Sequence, residues 1–150
     1  MPDQKRVMRV LRQGDLDAIV AIDEKVSKQN RREYYERKIA TITDPDRSIN
    51  SSIVAEVDGR VVGFIMGDVY FGEFGIPETS ATIDTLGVDP TLQNKGLASE
   101  LLDQFMMNMK VAGVNKVYTL VNWDDFALEK FFSRHKFVPS KRINLEFQMP

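Results

Sequence analysis

The sequence predicts an α/β domain in which one mixed sheet is covered by helices. Three observations carry this. Strand-like alternation and helical periodicity take turns along the chain, in the order β-α-α-β-β-β-α-β-α-β. No Pro/Ser/Gly-rich linker and no internal repeat interrupts the 150 residues, so 1–150 reads as a single domain. Hydrophobic residues make up 43% and charged residues 28%, which excludes a disordered or fibrous chain.

Residues 7–11 alternate through Val7, Arg9 and Leu11 and read as the first strand. Asp15 after Gly14 can cap a helix whose apolar positions are Leu16, Ile19, Val20 and Ile22. Residues 31–42 form a second, charged helix with Tyr34 and Tyr35 at its middle. Asp44-Pro45-Asp46 ends it, since proline lacks an N–H and restricts the residue before it. Residues 53–57 and 60–65 flank Asp58-Gly59, a pair suited to a type I′ hairpin turn. Residues 70–77, with Gly72 and Gly75, read as a loop, and residues 81–88 as a strand stopped by Asp89-Pro90. Leu97, Ala98, Leu101, Leu102, Phe105, Met106 and Met109 recur at steps of three and four, the mark of an amphipathic helix, with Gly113 as its stop. Residues 117–121 read as a buried strand. Asp124 or Asp125 can cap a last helix with Ala127, Leu128, Phe131 and Phe132 inward. Ile143, Leu145 and Phe147 alternate as a final strand.

Composition narrows the chemistry. Twenty Lys+Arg against 22 Asp+Glu leave a net charge of −2, with no excess of base to hold a nucleic-acid backbone. Zero Cys removes disulfides, thiol nucleophiles and thiolate metal sites. A single His removes His-pair metal sites and most His relays, so no metal is expected. The polar N-terminus does not resemble a signal peptide, and no apolar run approaches the ~20 residues that cross a bilayer. A cytoplasmic protein without membrane contact is the expectation.

The segment most suited to chemistry is Leu86-Gly87-Val88-Asp89-Pro90-Thr91-Leu92-Gln93-Asn94-Lys95-Gly96-Leu97-Ala98. A strand ends, the chain turns, and a helix starts at a glycine. A helix start presents unpaired N–H groups and the positive end of the dipole, which suits phosphate. Gly96 and Ala98 are small enough to let a pyrophosphate approach. The segment is neither a Walker loop nor G-x-G-x-x-G, which argues against ATP and NAD.

Gln93-x-x-Gly96-x-Ala98, in this strand–helix setting, resembles the acetyl-CoA pyrophosphate loop (Q/R-x-x-G-x-G/A) of the GCN5-related N-acetyltransferases, the GNAT family. The element order, the Asp58-Gly59 hairpin and Val61-Val62-Gly63 resemble it too. So does the run from Ala127 to Phe137, beside the family's A-x-x-x-F-Y-E-K-x-G-F. The resemblance implies a mostly antiparallel sheet with helices on both faces, the acyl-CoA N-acyltransferase fold. It also implies direct transfer of acetyl from acetyl-CoA to a primary amine of a small molecule or protein. Gln93, Asn94, Lys95, Gly96, Leu97 and Ala98 would bind the pyrophosphate. Leu86, Gly87 and Val88 would run beside the pantetheine arm, with the Val88 N–H as oxyanion donor. Asn122 and Asp125 would touch the arm after the fifth strand. A homodimer is one assembly open to such a chain.

Two positions depart from the family pattern. Phe132 stands where the family often has a Tyr that protonates the departing thiolate, and it cannot donate a proton. Either solvent or another hydroxyl (Tyr34, Tyr35, Tyr70, Tyr118) takes that role, or the chain is an acyl-CoA-binding sensor with weak or no catalysis. Lys136 stands where the family usually has a left-handed Gly. For the base the resemblance points to Asp84, four residues ahead of Val88. The alternative is a carboxylate bound to Thr82 or Thr85, or one at the solvent edge. Arg31, Arg32, Arg37 and Lys38 read chiefly as a solvated helix face. Tyr70, Phe71 and Phe74 are as consistent with packing as with an acceptor wall. Trp123 is consistent with covering either cofactor or core.

Overall fold

In the computed structural model, residues 5–46 and 49–150 are described. The polar N-terminal residues 1–4 lie outside them. The chain divides into two compact units, one up to Thr119 and one of Leu120–Pro150.

The first unit holds five strands: β1 (Arg6–Val10), β2 (Ile53–Val57), β3 (Arg60–Phe71), β4 (Thr79–Val88) and β5 (Lys116–Thr119). They lie side by side in chain order, antiparallel except for the parallel β4–β5 pair. Three helices accompany them: α1 (Leu16–Ser27), α2 (Arg32–Ile42) and α3 (Leu97–Val111). Because strand side chains alternate between faces, β3 serves two cores. Phe64 and Met66 join Val54 against Ile19, Val20, Ile22, Tyr35, Ile39 and Ile42 of α1 and α2. On the opposite face Gly63 lies under Leu101 of α3, and Gly67 under Phe105. Leu101 and Phe105 are fully buried, each contributing about 1.5–3 kcal/mol of apolar burial. The expected helices on both faces of a mixed sheet are therefore present.

Gly67 makes the α3 contact possible. A Cβ there would stand 2.5 Å from the Thr82 carbonyl oxygen and 2.7 Å from the Phe105 ring. Gly67→Ala is expected to cost about 3 kcal/mol in urea unfolding, the upper end for overpacking, since backbone cannot yield as a side chain can.

The Asp58-Gly59 turn is as expected, both residues having positive φ (52° and 81°). Elsewhere the boundaries shift. β3 runs on to Phe71 and β4 begins at Thr79, so the expected 70–77 loop shrinks around a 3-10 turn at Glu73–Gly75. Asp15 stands at the start of α1 but its carboxylate does not cap it. It accepts the Arg12 N–H at 2.8 Å and two Arg9 bonds at 2.7 and 2.9 Å, because a guanidinium fork outcompetes a helix N–H. β5 is shorter than expected and only half-buried, since it closes the sheet with a neighbour on one side.

The second unit holds α4 (Phe126–Arg134). Asp125 caps it, accepting the Leu128 N–H at 3.1 Å. Lys136 does adopt the left-handed conformation (φ 69°). The Lys136 N–H donates to the Ser133 carbonyl and the Phe137 N–H to the Phe132 carbonyl, a Schellman closure. The Phe132 and Phe137 rings, 5.1 Å apart, supply the apolar contact that accompanies such a cap. Among the described residues the expected final strand is not formed, and Ile143, Leu145 and Phe147 are more than four-fifths exposed. Alternation licenses a strand but does not supply the ladder partner that stabilises one.

Candidate active site

The site begins with the edge of β4. The β4–β5 ladder pairs Ser80 to Ile83 with Lys116 to Thr119 and stops there. The Thr119 hydroxyl closes it with a 3.0 Å bond to the Ile83 carbonyl. Among the described residues, this edge of β4 has no ladder partner from Asp84 to Val88, while the β3 side stays paired to Val88. The Asp89 N–H donates to the Val62 carbonyl at 2.8 Å. By alternation, Gly87 also faces β3, and the backbone groups of Leu86 and Val88 face the open edge. That edge can take an extended ligand with amide groups. Gly87 is required by packing: a Cβ there would lie 2.8 Å from the Phe64 ring.

A bulge marks where the edge opens. Met66 pairs with Thr85 and Gly67 with Ile83, so Asp84 is an extra residue in β4. A bulge re-aims its side chain and bends its strand. Asp84 forms an ion pair with Lys38 of α2, their side chains 36% and 25% exposed. Neither Thr82 nor Thr85 holds the carboxylate among the described hydrogen bonds. Lys38 also lines a cleft of about 530 Å³ with Glu33, Tyr34, Thr41, Ile42 and Asp68.

The strand then turns into α3. Asp89 accepts the Thr91 N–H and hydroxyl at 3.0 and 2.9 Å, and Lys25 of α1 at 3.0 Å. Burial pushes the Asp89 carboxyl up, but the Thr91 N–H, Lys25 and the Thr91 hydroxyl outweigh it and hold the carboxyl below its usual range. A depressed carboxylate stabilises the fold above its unfolded value of 3.8, and that contribution is lost as pH falls through the folded value. Asp89→Ala is therefore expected to cost about 2 kcal/mol in urea unfolding at neutral pH, with the gap to the parent narrowing as pH falls below 3.8.

Asn94 and Gly96 both take left-handed backbone (φ 65° and 81°), which turns the chain sharply into α3. The first α3 ladder bond runs from the Glu100 N–H to the Gly96 carbonyl, 3.0 Å. The N–H groups of the first turn precede it, and Gly96 has no side chain to cap them. A Cβ at Gly96 would meet nothing within 4 Å, so the approach is open. Gln93, Asn94 and Lys95 are exposed, Leu97 is anchored in the core, and Ala98 is half-buried. A helix start of this kind suits an anion, and it follows within a few residues of the strand edge that ends at Val88.

A model of the acetyltransferase (GNAT) family matches residues 16–137. The chain belongs to this family. It is 30% identical over 125 residues to an acetyltransferase of Pectobacterium atrosepticum, covering 81% of this chain and 79% of that protein. Its fold is shared by an aminoglycoside N-acetyltransferase solved with CoA (TM-score 0.80, 13% identity, 99% of this chain and 98% of that one). A ribosomal-protein-alanine N-acetyltransferase from Brucella melitensis also shares it (TM-score 0.76, 14% identity, 97% and 100%). So does a transcriptional regulator from Bacillus halodurans (TM-score 0.80, 17% identity, 97% and 100%). The GNAT chain is thus an acetyltransferase with a mixed five-stranded sheet.

Within this GNAT chain, Asp84, Leu86, Gly87, Val88 and the residues from Gln93 to Ala98 all fall on β4, its turn or the start of α3. Asn122 and Asp125 belong to the second unit, where the Asp125 N–H donates to the Asn122 carbonyl at 2.9 Å. Among the tyrosines, Tyr35 is fully buried with its hydroxyl on Asp23 at 3.0 Å, while Tyr34 lines the cleft. Burial, followed by the nearby Glu73, raises the Tyr70 hydroxyl above its usual value. Phe71, Phe74 and Trp123 are exposed. Arg31 does not stand free in solvent: it pairs with buried Asp23, tying α2 to α1. Sequence reasoning missed three ties. Arg6 reaches Glu100 at 2.5 Å and the Lys95 carbonyl at 3.2 Å, Lys25 holds Asp89, and Lys38 holds Asp84. No spacing signal could find partners 94, 64 and 46 positions apart. No helix among the described residues is long and apolar enough to cross a membrane.

Proposed function

We propose that the chain is an acetyl-CoA-dependent N-acetyltransferase that moves the acetyl group directly to a primary amine of a small molecule or protein. The observation that carries this is the unpaired edge of β4 at Leu86 and Val88 leading into the uncapped start of α3 at Gly96. Pantetheine carries amides that can pair with a strand edge, and pyrophosphate suits N–H groups at a helix start. The main chain from Asn94 to Ala98 would bind the pyrophosphate, with Gln93 and Lys95 flanking it. Leu86 and Val88 would hold the arm, with Gly87 between them packed against the Phe64 ring. The roles of Asn122 and Asp125 toward the arm rest on the family resemblance.

In this reading the amine reaches Asp84, which takes its proton directly or through one water. The amine nitrogen attacks the thioester carbonyl, and the developing oxyanion meets the Val88 N–H. The CoA thiolate then leaves, and the second nitrogen proton passes to it or to solvent. A thiol with a reference pKa of about 8.5 is a fair leaving group, so Phe132 in place of a tyrosine is tolerable. Phe132 itself is 5% exposed and serves the α4 cap. The reading is of a cytoplasmic enzyme, monomeric or dimeric, that needs no metal.

Incubation with acetyl-CoA and a panel of primary amines is expected to release free CoA above the buffer rate with at least one acceptor class. The panel should include amino sugars, polyamines and peptides with free N-termini or lysines. Acetyl-CoA binding with no release for any class would favour the sensor reading.

A further inference from the structure

One amine is already on the proposed base. Lys38 Nζ pairs with Asp84, and its side chain is 25% exposed. Among the described residues, Lys25, paired with Asp89, and Lys116, paired with Glu78, are 53% and 57% exposed. Lys38 therefore stands apart as a shielded amine. It lines the cleft together with Glu33, Tyr34, Thr41 and Asp68, and pairs with Asp84 at the β4 bulge. Leu86 follows Asp84 by two residues on β4, and the four-carbon stem of a lysine lets its amine swing by rotation about its own bonds.

We propose that Lys38 is a self-acetylation site: with acetyl-CoA along β4, the protein transfers the acetyl group to its own Lys38 Nζ. This rests on the reading of β4 as the acetyl-CoA edge and of Asp84 as the base. The Asp84 carboxylate takes one proton from the Lys38 ammonium. The freed nitrogen lone pair forms the N–C bond at the thioester carbonyl. The C–S bond breaks, CoA leaves as thiolate, and the second nitrogen proton passes to that thiolate. The products are an uncharged acetamide on Lys38 and free CoA. Asp84 then returns its proton to solvent, and because the acetamide has no charge, modification frees the carboxylate of its resident cation and opens it to the ammonium of an external acceptor.

The full chain is incubated with acetyl-CoA and no acceptor, then weighed intact and mapped by peptide. Lys38 is expected to gain one acetyl group at least tenfold faster than the exposed Lys110 and Lys130. The half-time is expected to be independent of protein concentration, and the rate to fall at least tenfold in Asp84→Asn. Lys38→Arg should remove the fast phase. The proposal is overturned if Lys38 is no faster than Lys110 and Lys130, if the rate rises with protein concentration, or if Asp84→Asn leaves it unchanged, while calorimetry shows acetyl-CoA bound. If calorimetry shows no binding, the cofactor reading fails first and this one with it.

Discussion

Gly96→Glu is expected to weaken acetyl-CoA binding about 100-fold or more, since it sets a carboxylate among N–H groups that would otherwise meet a pyrophosphate. Gly96 has φ 81°, so any side chain there carries backbone strain of about 1–2 kcal/mol. Gly96→Ala shares the strain but not the charge, and the open space beside Gly96 admits its methyl without a clash. The comparison therefore isolates electrostatics. Gly96→Ala should lose about tenfold or less in calorimetric Kd, and both variants should keep the parent's circular dichroism. Equal affinity in all three proteins would place the pyrophosphate elsewhere.

Asp84→Asn is expected to lower kcat about 100-fold with the most active amine while leaving the Kd for acetyl-CoA within a factor of two or so. The side chain is close in volume and the Lys38 contact is partly exposed, so the fold should lose under about 1 kcal/mol. The acid limb of the pH–rate profile should also flatten, because the group whose deprotonation it reports is gone. A purely structural Asp84 would lower thermal stability and leave that limb in place. An unchanged rate and profile would remove Asp84 from the chemistry.

The parts of this fold that were legible in the sequence are those fixed by local chemistry. Asp58-Gly59 needed two positive φ values and has them. The α3 stripe through Leu101 and Phe105 is buried as its spacing implies. The turn from Asp89 to Gly96 was marked by Pro90 and Gly96, residues that cannot hide their backbone preferences. The parts that were not legible depend on partners distant in the chain. A bulge at Asp84 adds a residue to β4 without changing its composition, so it shows only in the register against β3. The Asp15 carboxylate fits a helix cap until Arg9 is placed beside it. Ile143, Leu145 and Phe147 alternate well, but alternation says nothing about whether a neighbouring edge accepts them. Lys38, read as part of a solvated face, proved to be the cation on the proposed base.

The chain is expected to bind acetyl-CoA with a strand edge and a helix start. A calorimetric titration of the purified protein with acetyl-CoA, with CoA and ATP in parallel cells, tests it most directly. Saturable binding of acetyl-CoA near one per chain is expected, with binding of CoA through the same pyrophosphate and arm and no comparable heat from ATP. No binding of acetyl-CoA, or ATP binding as well as it does, would show that the edge of β4 and the start of α3 are not an acetyl-CoA site.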